Sequence, residues 1–102
     1  MYTLLEIIGT RDPECYVMEY GADYRGYKSI AEDGSTCLNW TITTSYRYTL
    51  NPMDYPDAGL GDHNYCRNPV GDPSTWCYVT ENGFWAYCNI NNPNLECTQS
   101  ML

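Results

Sequence analysis

The chain is predicted to be a small, disulfide-rich all-β domain with little regular secondary structure. Three observations carry that reading. Six cysteines stand at positions 15, 37, 66, 77, 88 and 97 of a 102-residue chain. An even count in so short a chain points to a disulfide framework in an oxidising compartment, although six cysteines allow fifteen pairings and spacing alone does not choose among them. Between Cys15 and Cys97 the sequence falls into short runs broken by Gly, Pro, Asn and Asp, and no stretch has the apolar periodicity of a helix of ordinary length. A chain of this size also makes only a small core, and each native disulfide in such a domain contributes roughly 2–4 kcal/mol, so reduction is expected to unfold it.

Three segments follow. Residues 1–14 form an N-terminal apolar arm outside the cysteine frame, residues 15–97 the domain, and residues 98–102 a tail ending in Met101 and Leu102. The arm's run YTLLEII, at residues 2–8, is too short for a stable helix and reads as a strand. Its apolar side chains, Tyr2, Leu4, Leu5, Ile7 and Ile8, occupy both faces, so both need cover. Within the domain, residues 75–80 and 83–88 are aromatic, β-favouring runs joined by Glu81 and Asn82 just ahead of Gly83, which predicts a hairpin. Gly26, Gly34 and Gly59 are expected at chain reversals, where positive φ favours glycine.

Composition excludes several function classes. Thirteen acidic against five basic residues give a net charge of −8, which argues against a nucleic-acid partner. No run approaches the roughly 20 apolar residues that span a bilayer, and the N-terminus lacks a secretory leader, so the numbering is expected to start on a mature chain or a fragment. His63 is the only histidine. A zinc site would need cysteines that the disulfides occupy, and no serine sits in a nucleophile setting with His63, so neither a metal site nor catalysis is expected. Asp54, Asp57, Asp62 and Asp72 lack the ligand spacing of a calcium loop and read as surface charge. Asn39-Trp40-Thr41 is an N-glycosylation sequon, with Asn39 as acceptor; a turn-capping role beside Trp40 would explain the same residue.

The motifs YGADYRGY (20–27), CLNW (37–40), GLGDHNYCRNP (59–69), TWCY (75–78) and WAYC (85–88) occur in an order that resembles a kringle domain across residues 15–97. The segments DYRG and GLGDHNYCRNP are most similar to the kringle of Kremen-type receptors. The resemblance implies a kringle fold with three disulfides, Cys15 with Cys97, Cys37 with Cys77 and Cys66 with Cys88. It also implies a non-catalytic, secreted or extracellular module without a cofactor. Residues 89–96, longer than usual between the last two cysteines, are expected to bulge.

In kringles that bind lysine, an aromatic trough has an anionic end for the ammonium and a cationic end for the carboxylate. Carried onto this chain, the trough is Trp76, Tyr78, Trp85 and Tyr87. The anionic end keeps one carboxylate, Asp72, and Phe84 stands where lysine binders have a basic residue. Arg47 is a loose substitute from the preceding loop. Losing charge-assisted contacts of about 1.5–3 kcal/mol each, the site is expected to hold free lysine weakly or not at all. A lysine or arginine side chain presented by an extracellular protein needs no carboxylate clamp, and Asp72 with cation–π support from Trp76 and Trp85 would suffice. Against this stands the plainer role of these aromatics as cover for the disulfide core. A second functional expectation comes from the arm: an exposed strand pairs with its own domain, with a second copy or with another domain of a longer protein, and exchange between copies gives a homo-oligomer or a filament.

Overall fold

The computed structural model describes residues 13–42, 50–90 and 93. The predicted strand at residues 2–8, Arg47, Cys97, the tail and most of the 89–96 loop lie outside these residues. Among the described residues, regular structure is confined to short pieces, as the turn-rich sequence demands: a 3-10 turn at Pro52–Asp54 and two strands, β1 (Trp76–Tyr78) and β2 (Trp85–Tyr87). Asn51 caps the 3-10 turn, its side chain accepting from the Met53 amide.

The strands pair antiparallel with Trp76 opposite Tyr87, Cys77 opposite Ala86 and Tyr78 opposite Trp85. They are shorter than the predicted 75–80 and 83–88. Beyond them Val79 and Thr80 both donate to the Phe84 carbonyl, at 2.8 and 3.4 Å, so the chain closes into its turn instead of extending the ladder. Loop backbone covers the hairpin's outer hydrogen-bonding groups. Arg67 exchanges two bonds with Trp76, Leu38 donates to Tyr78, and Glu32 donates to Tyr87. The hairpin is therefore the centre of a patchwork sheet whose other members are single bridges.

Two disulfides fasten that hairpin to the loops, Cys37 to Cys77 and Cys66 to Cys88. They cross in contact, with Cys37 Sγ 3.9 Å from Cys66 Sγ. Cys15 is also disulfide-bonded. Around the bridges lie Tyr16, Tyr24, Trp40, Trp76 and Tyr78, all buried. Trp40 packs edge-on against Trp76 and Tyr78 and donates its indole N–H to the Tyr65 carbonyl at 2.8 Å. A core built from aromatics and cystine is what the composition allows, since few aliphatic side chains fall within the cysteine frame.

Buried polar groups tie the loops together. Arg67, 4% exposed, donates to the carbonyls of Gly59, Gly26 and Cys66 at 3.1, 2.9 and 2.8 Å and lies over the rings of Tyr24 and Tyr65. Burial, with Arg25 nearby, pulls its pKa down to about 10, which leaves it cationic at neutral pH. The Tyr24 hydroxyl donates to Glu14 at 2.6 Å, and burial followed by that bond raises its pKa well above the usual phenol range.

Gly34 and Gly59 have the expected positive φ, +90° and +79°, but Gly26 does not. A Cβ at Gly26 would run into the Glu14 carboxylate and the Tyr24 hydroxyl, so glycine is required there by close approach and not by a reversal. We expect Gly26→Ala to separate that hydrogen-bonded pair and cost about 2 kcal/mol in denaturant unfolding; an unchanged midpoint would contradict the contact.

His63 is held by both ring nitrogens. Nδ1 lies 3.1 Å from the Tyr65 amide, which donates to it, so Nε2 carries the proton and donates to the Gly59 carbonyl at 2.7 Å. The ring also stacks on Tyr65. Burial foremost lowers its pKa from the ordinary value. A folded-state pKa below the unfolded one favours the neutral ring, so the contribution is complete above about pH 6.5 and disappears as pH falls through the depressed folded value. Chemical denaturation across that range should show this slope in the native protein and lose it in His63→Gln.

Candidate functional site

The pleat decides which side chains meet. Along β1, Cys77 faces the bridge to Cys37, so Trp76 and Tyr78 face the other way, and the register places Trp85 and Tyr87 beside them. The four rings form a continuous set: Trp76 meets Tyr78 edge-on at 5.1 Å and Trp85 at a tilt at 6.0 Å, and Trp85 meets Tyr87 edge-on at 4.9 Å between centroids. Their exposure is unequal. Trp76 and Tyr78 are 5% and 4% exposed and form a floor, whereas Trp85 is 51% exposed and stands as a wall.

Asp72 reaches this face from the loop before β1. With Trp76, Tyr78, Gly83 and Trp85 it lines a pocket of 270 Å³. Of the sequence-predicted residues, the structure thus brings Asp72, Trp76, Tyr78 and Trp85 to one concavity. Tyr87 packs edge-on against Trp85 and is not among the residues that line the pocket. Tyr78 contributes its ring, since its hydroxyl accepts the Leu50 amide at 2.9 Å. Gly83, at φ +97°, is a lining position that sequence reasoning assigned only to the hairpin. Its signal was present, because a hairpin turn that needs positive φ brings backbone without a side chain to the pocket mouth.

The electrostatics are one-sided. Asp72 is the only charged residue among the described lining residues, and no Lys or Arg accompanies it. Phe84, 65% exposed, precedes Trp85 where a cation would complete a zwitterion site. Such a pocket can set a cation against the Trp85 indole and give it one carboxylate, and its described lining residues offer no positive charge to an accompanying anion. Its carboxylate is carried on a rigid loop: the Asn68 side chain, itself 4% exposed, accepts the Asp72 amide at 2.9 Å and donates to the Asp72 carbonyl at 2.7 Å.

Among the other clefts on the described surface are two of comparable size. One, of 340 Å³, is lined by Tyr55, Pro56, Asp57 and Pro69 among others; the second, of 220 Å³, by Tyr16, Glu19, Tyr20 and Glu32. Neither has indole rings. The sulfurs of Cys37, Cys66, Cys77 and Cys88 lie within 4.8 Å of one another, but both pairs are joined as cystine and offer no thiolate to a metal. His63 has both nitrogens engaged, as described above, and is a structural residue. In the sequon, Asn39 accepts from the Thr41 amide and hydroxyl at 2.8 and 2.6 Å and donates to Asp62 at 2.9 Å, beside the buried Trp40.

Comparison with known proteins agrees with this architecture. A family model described as a kringle domain matches residues 10–93. The chain is 48% identical over 85 residues to Kremen protein 1 of Rattus norvegicus and 47% identical over the same length to that of Homo sapiens. Each alignment covers 76% of this chain and 17% of the relative. Tissue-type plasminogen activator of Bos taurus is 39% identical over 87 residues, covering 81% of the chain and 15% of the relative. The chain thus spans about a sixth of the length of these multi-part relatives, and the likeness is one of domain to domain. With the two crossed bridges, the short hairpin and the matched motifs, the chain belongs to the kringle domain family, whose members are non-catalytic protein-interaction modules of extracellular proteins and receptor ectodomains.

Proposed function

We propose that this kringle recognises a partner protein by capturing a lysine or arginine side chain between Trp76 and Trp85, with Asp72 as the counter-charge. One observation carries the reading: β1, β2 and the loop before them converge on a single pocket that holds two indoles and one carboxylate. Among the described lining residues none is basic, which makes an internal side chain the better ligand, because a free lysine brings a carboxylate that these residues do not pair. The aromatic walls supply the area typical of interface anchors. The chain's acidic charge adds long-range attraction for a basic partner, which salt should weaken. The same reading places the module outside the cytosol, where cystine persists, and makes Asn39 its glycan acceptor.

The test is a titration with a peptide carrying one internal lysine, blocked at both ends, followed by tryptophan fluorescence. Asp72→Asn is expected to weaken binding by about tenfold or more, given roughly 1.5–3 kcal/mol for a charged hydrogen bond. Free lysine should bind no better than the blocked peptide. Equal affinity of native protein and Asp72→Asn for the peptide would sink the reading.

A second reading rests on the arm. The kringle match begins at residue 10, so the apolar run at residues 2–8 falls outside what the family accounts for. In this reading the arm, with the Met101-Leu102 tail, joins copies into an oligomer or filament, and the domain is a structural subunit. Sedimentation of the oxidised full chain against one starting at Asp12 separates the two. Large species that vanish on truncation favour assembly, whereas two monomers leave the pocket as the interaction site.

A further inference from the structure

The geometry points to Asn68 as the residue that positions Asp72, and so as a determinant of cation recognition that never touches the ligand; this rests on the pocket reading above. The Asp72 carboxylate is the one charge among the described lining residues, so its placement decides whether a cation is met at hydrogen-bond distance. The backbone that carries it is held by a single buried amide. Asn68 Oδ1 accepts the Asp72 N–H at 2.9 Å, and Asn68 Nδ2 donates to the Asp72 carbonyl at 2.7 Å and to the Tyr20 carbonyl at 2.8 Å. Both backbone polar groups of Asp72 are thereby fixed by one side chain. That side chain is itself anchored to a distant part of the chain, 48 residues away.

The intervening residues suit such a closed loop. Pro69 and Pro73 bracket it with restricted φ, and Gly71 at φ +78° makes the reversal, with nothing near its Cβ position. The loop therefore has little packing of its own at Gly71, and the Asn68 amide takes the place of packing. An asparagine is the one side chain of this length with an acceptor and two donors, and all three are engaged here. Aspartate would keep the acceptor but turn an oxygen toward two carbonyls, while alanine would free the loop altogether.

The experiment combines amide hydrogen exchange by NMR with a double-mutant cycle. In the native protein the Asp72 backbone amide and the Asn68 side-chain amide should exchange slowly; fast exchange of either would overturn the assignment without any variant being made. Asn68→Ala should expose the Asp72 amide to exchange and weaken the blocked internal-lysine peptide by about tenfold, and Asn68→Asp should keep the Asp72 amide protected yet still weaken binding. In an Asp72→Asn background the Asn68 substitutions should change affinity by less than about twofold, because the group they position is already neutralised. Equal losses in both backgrounds would show that Asn68 acts by general stability and would refute the positioning role. If Asp72→Asn alone leaves peptide affinity unchanged, the pocket reading falls, while the exchange data still decide whether Asn68 holds Asp72.

Discussion

Everything about the aromatic face depends on where the two crossed bridges attach. Both end on the hairpin, at Cys77 within β1 and at Cys88 just past β2, and they meet at 3.9 Å beneath it. A two-stranded hairpin is marginal alone in water, and here each strand has only three residues. Crosslinking one face to the loops removes most of the freedom such a hairpin would have when unfolded. Because side chains alternate, fixing Cys77 downward obliges Trp76 and Tyr78 to point up. The register then delivers Trp85 to them. The concavity is a consequence of the staple, not of the strands' own stability.

Inside the molecule, polar groups do what aliphatic packing does in larger domains. Arg67 and Asn68 are adjacent and both 4% exposed, yet they serve opposite directions. Arg67 gathers the Gly26, Gly59 and Cys66 carbonyls on one side, and Asn68 gathers Tyr20 and Asp72 on the other. The Arg67–Trp76 bridge connects this pair to β1. Loops carry many backbone carbonyls that regular structure leaves unpaired, so a loop-rich core needs internal donors to satisfy them. A guanidinium and a primary amide are the richest donors among the side chains that can fill that role.

Much of this was legible in the sequence, and the boundary of legibility is physical. The cysteine frame and the hairpin could be read because they depend on residue type at fixed spacing, whereas the aromatic trough is what the family resemblance implies. The family resemblance supplied the pairing, which spacing left open, and the lone carboxylate Asp72 followed from it. Gly26 was read as a turn residue because a glycine's reason is invisible until its neighbours are placed; here it is the Glu14–Tyr24 pair. The strands were read too long because β propensity in Val79 and Thr80 did not foresee that both amides would share one carbonyl. The motif places Tyr87 with the trough aromatics; its ring meets Trp85 edge-on, and the lining of the pocket among the described residues is Asp72, Trp76, Tyr78, Gly83 and Trp85. Asn68 lies in the NYCRNP run, where residue type alone does not reveal it, since its bonds reach residues at positions 20 and 72.

The unequal exposure of the indoles bears on how a partner would be bound. Trp76 is held under Trp40 and Tyr78, so it presents a fixed surface whose ordering was completed on folding. Trp85, half in solvent with Tyr87 at its back, keeps some freedom and is the surface a ligand would cover. Binding a cation there would immobilise one exposed ring and one side chain of the partner, with the floor and the carboxylate already in place. Preorganisation of that kind lowers the entropy lost on association. A pocket with only one counter-charge has little Coulomb energy to offer, so its affinity must come from that rigidity and from the buried face of Trp85. On the proposed reading, the ties at both the amide and the carbonyl of Asp72 matter for that reason: among the described lining residues, no second charge compensates if this one drifts.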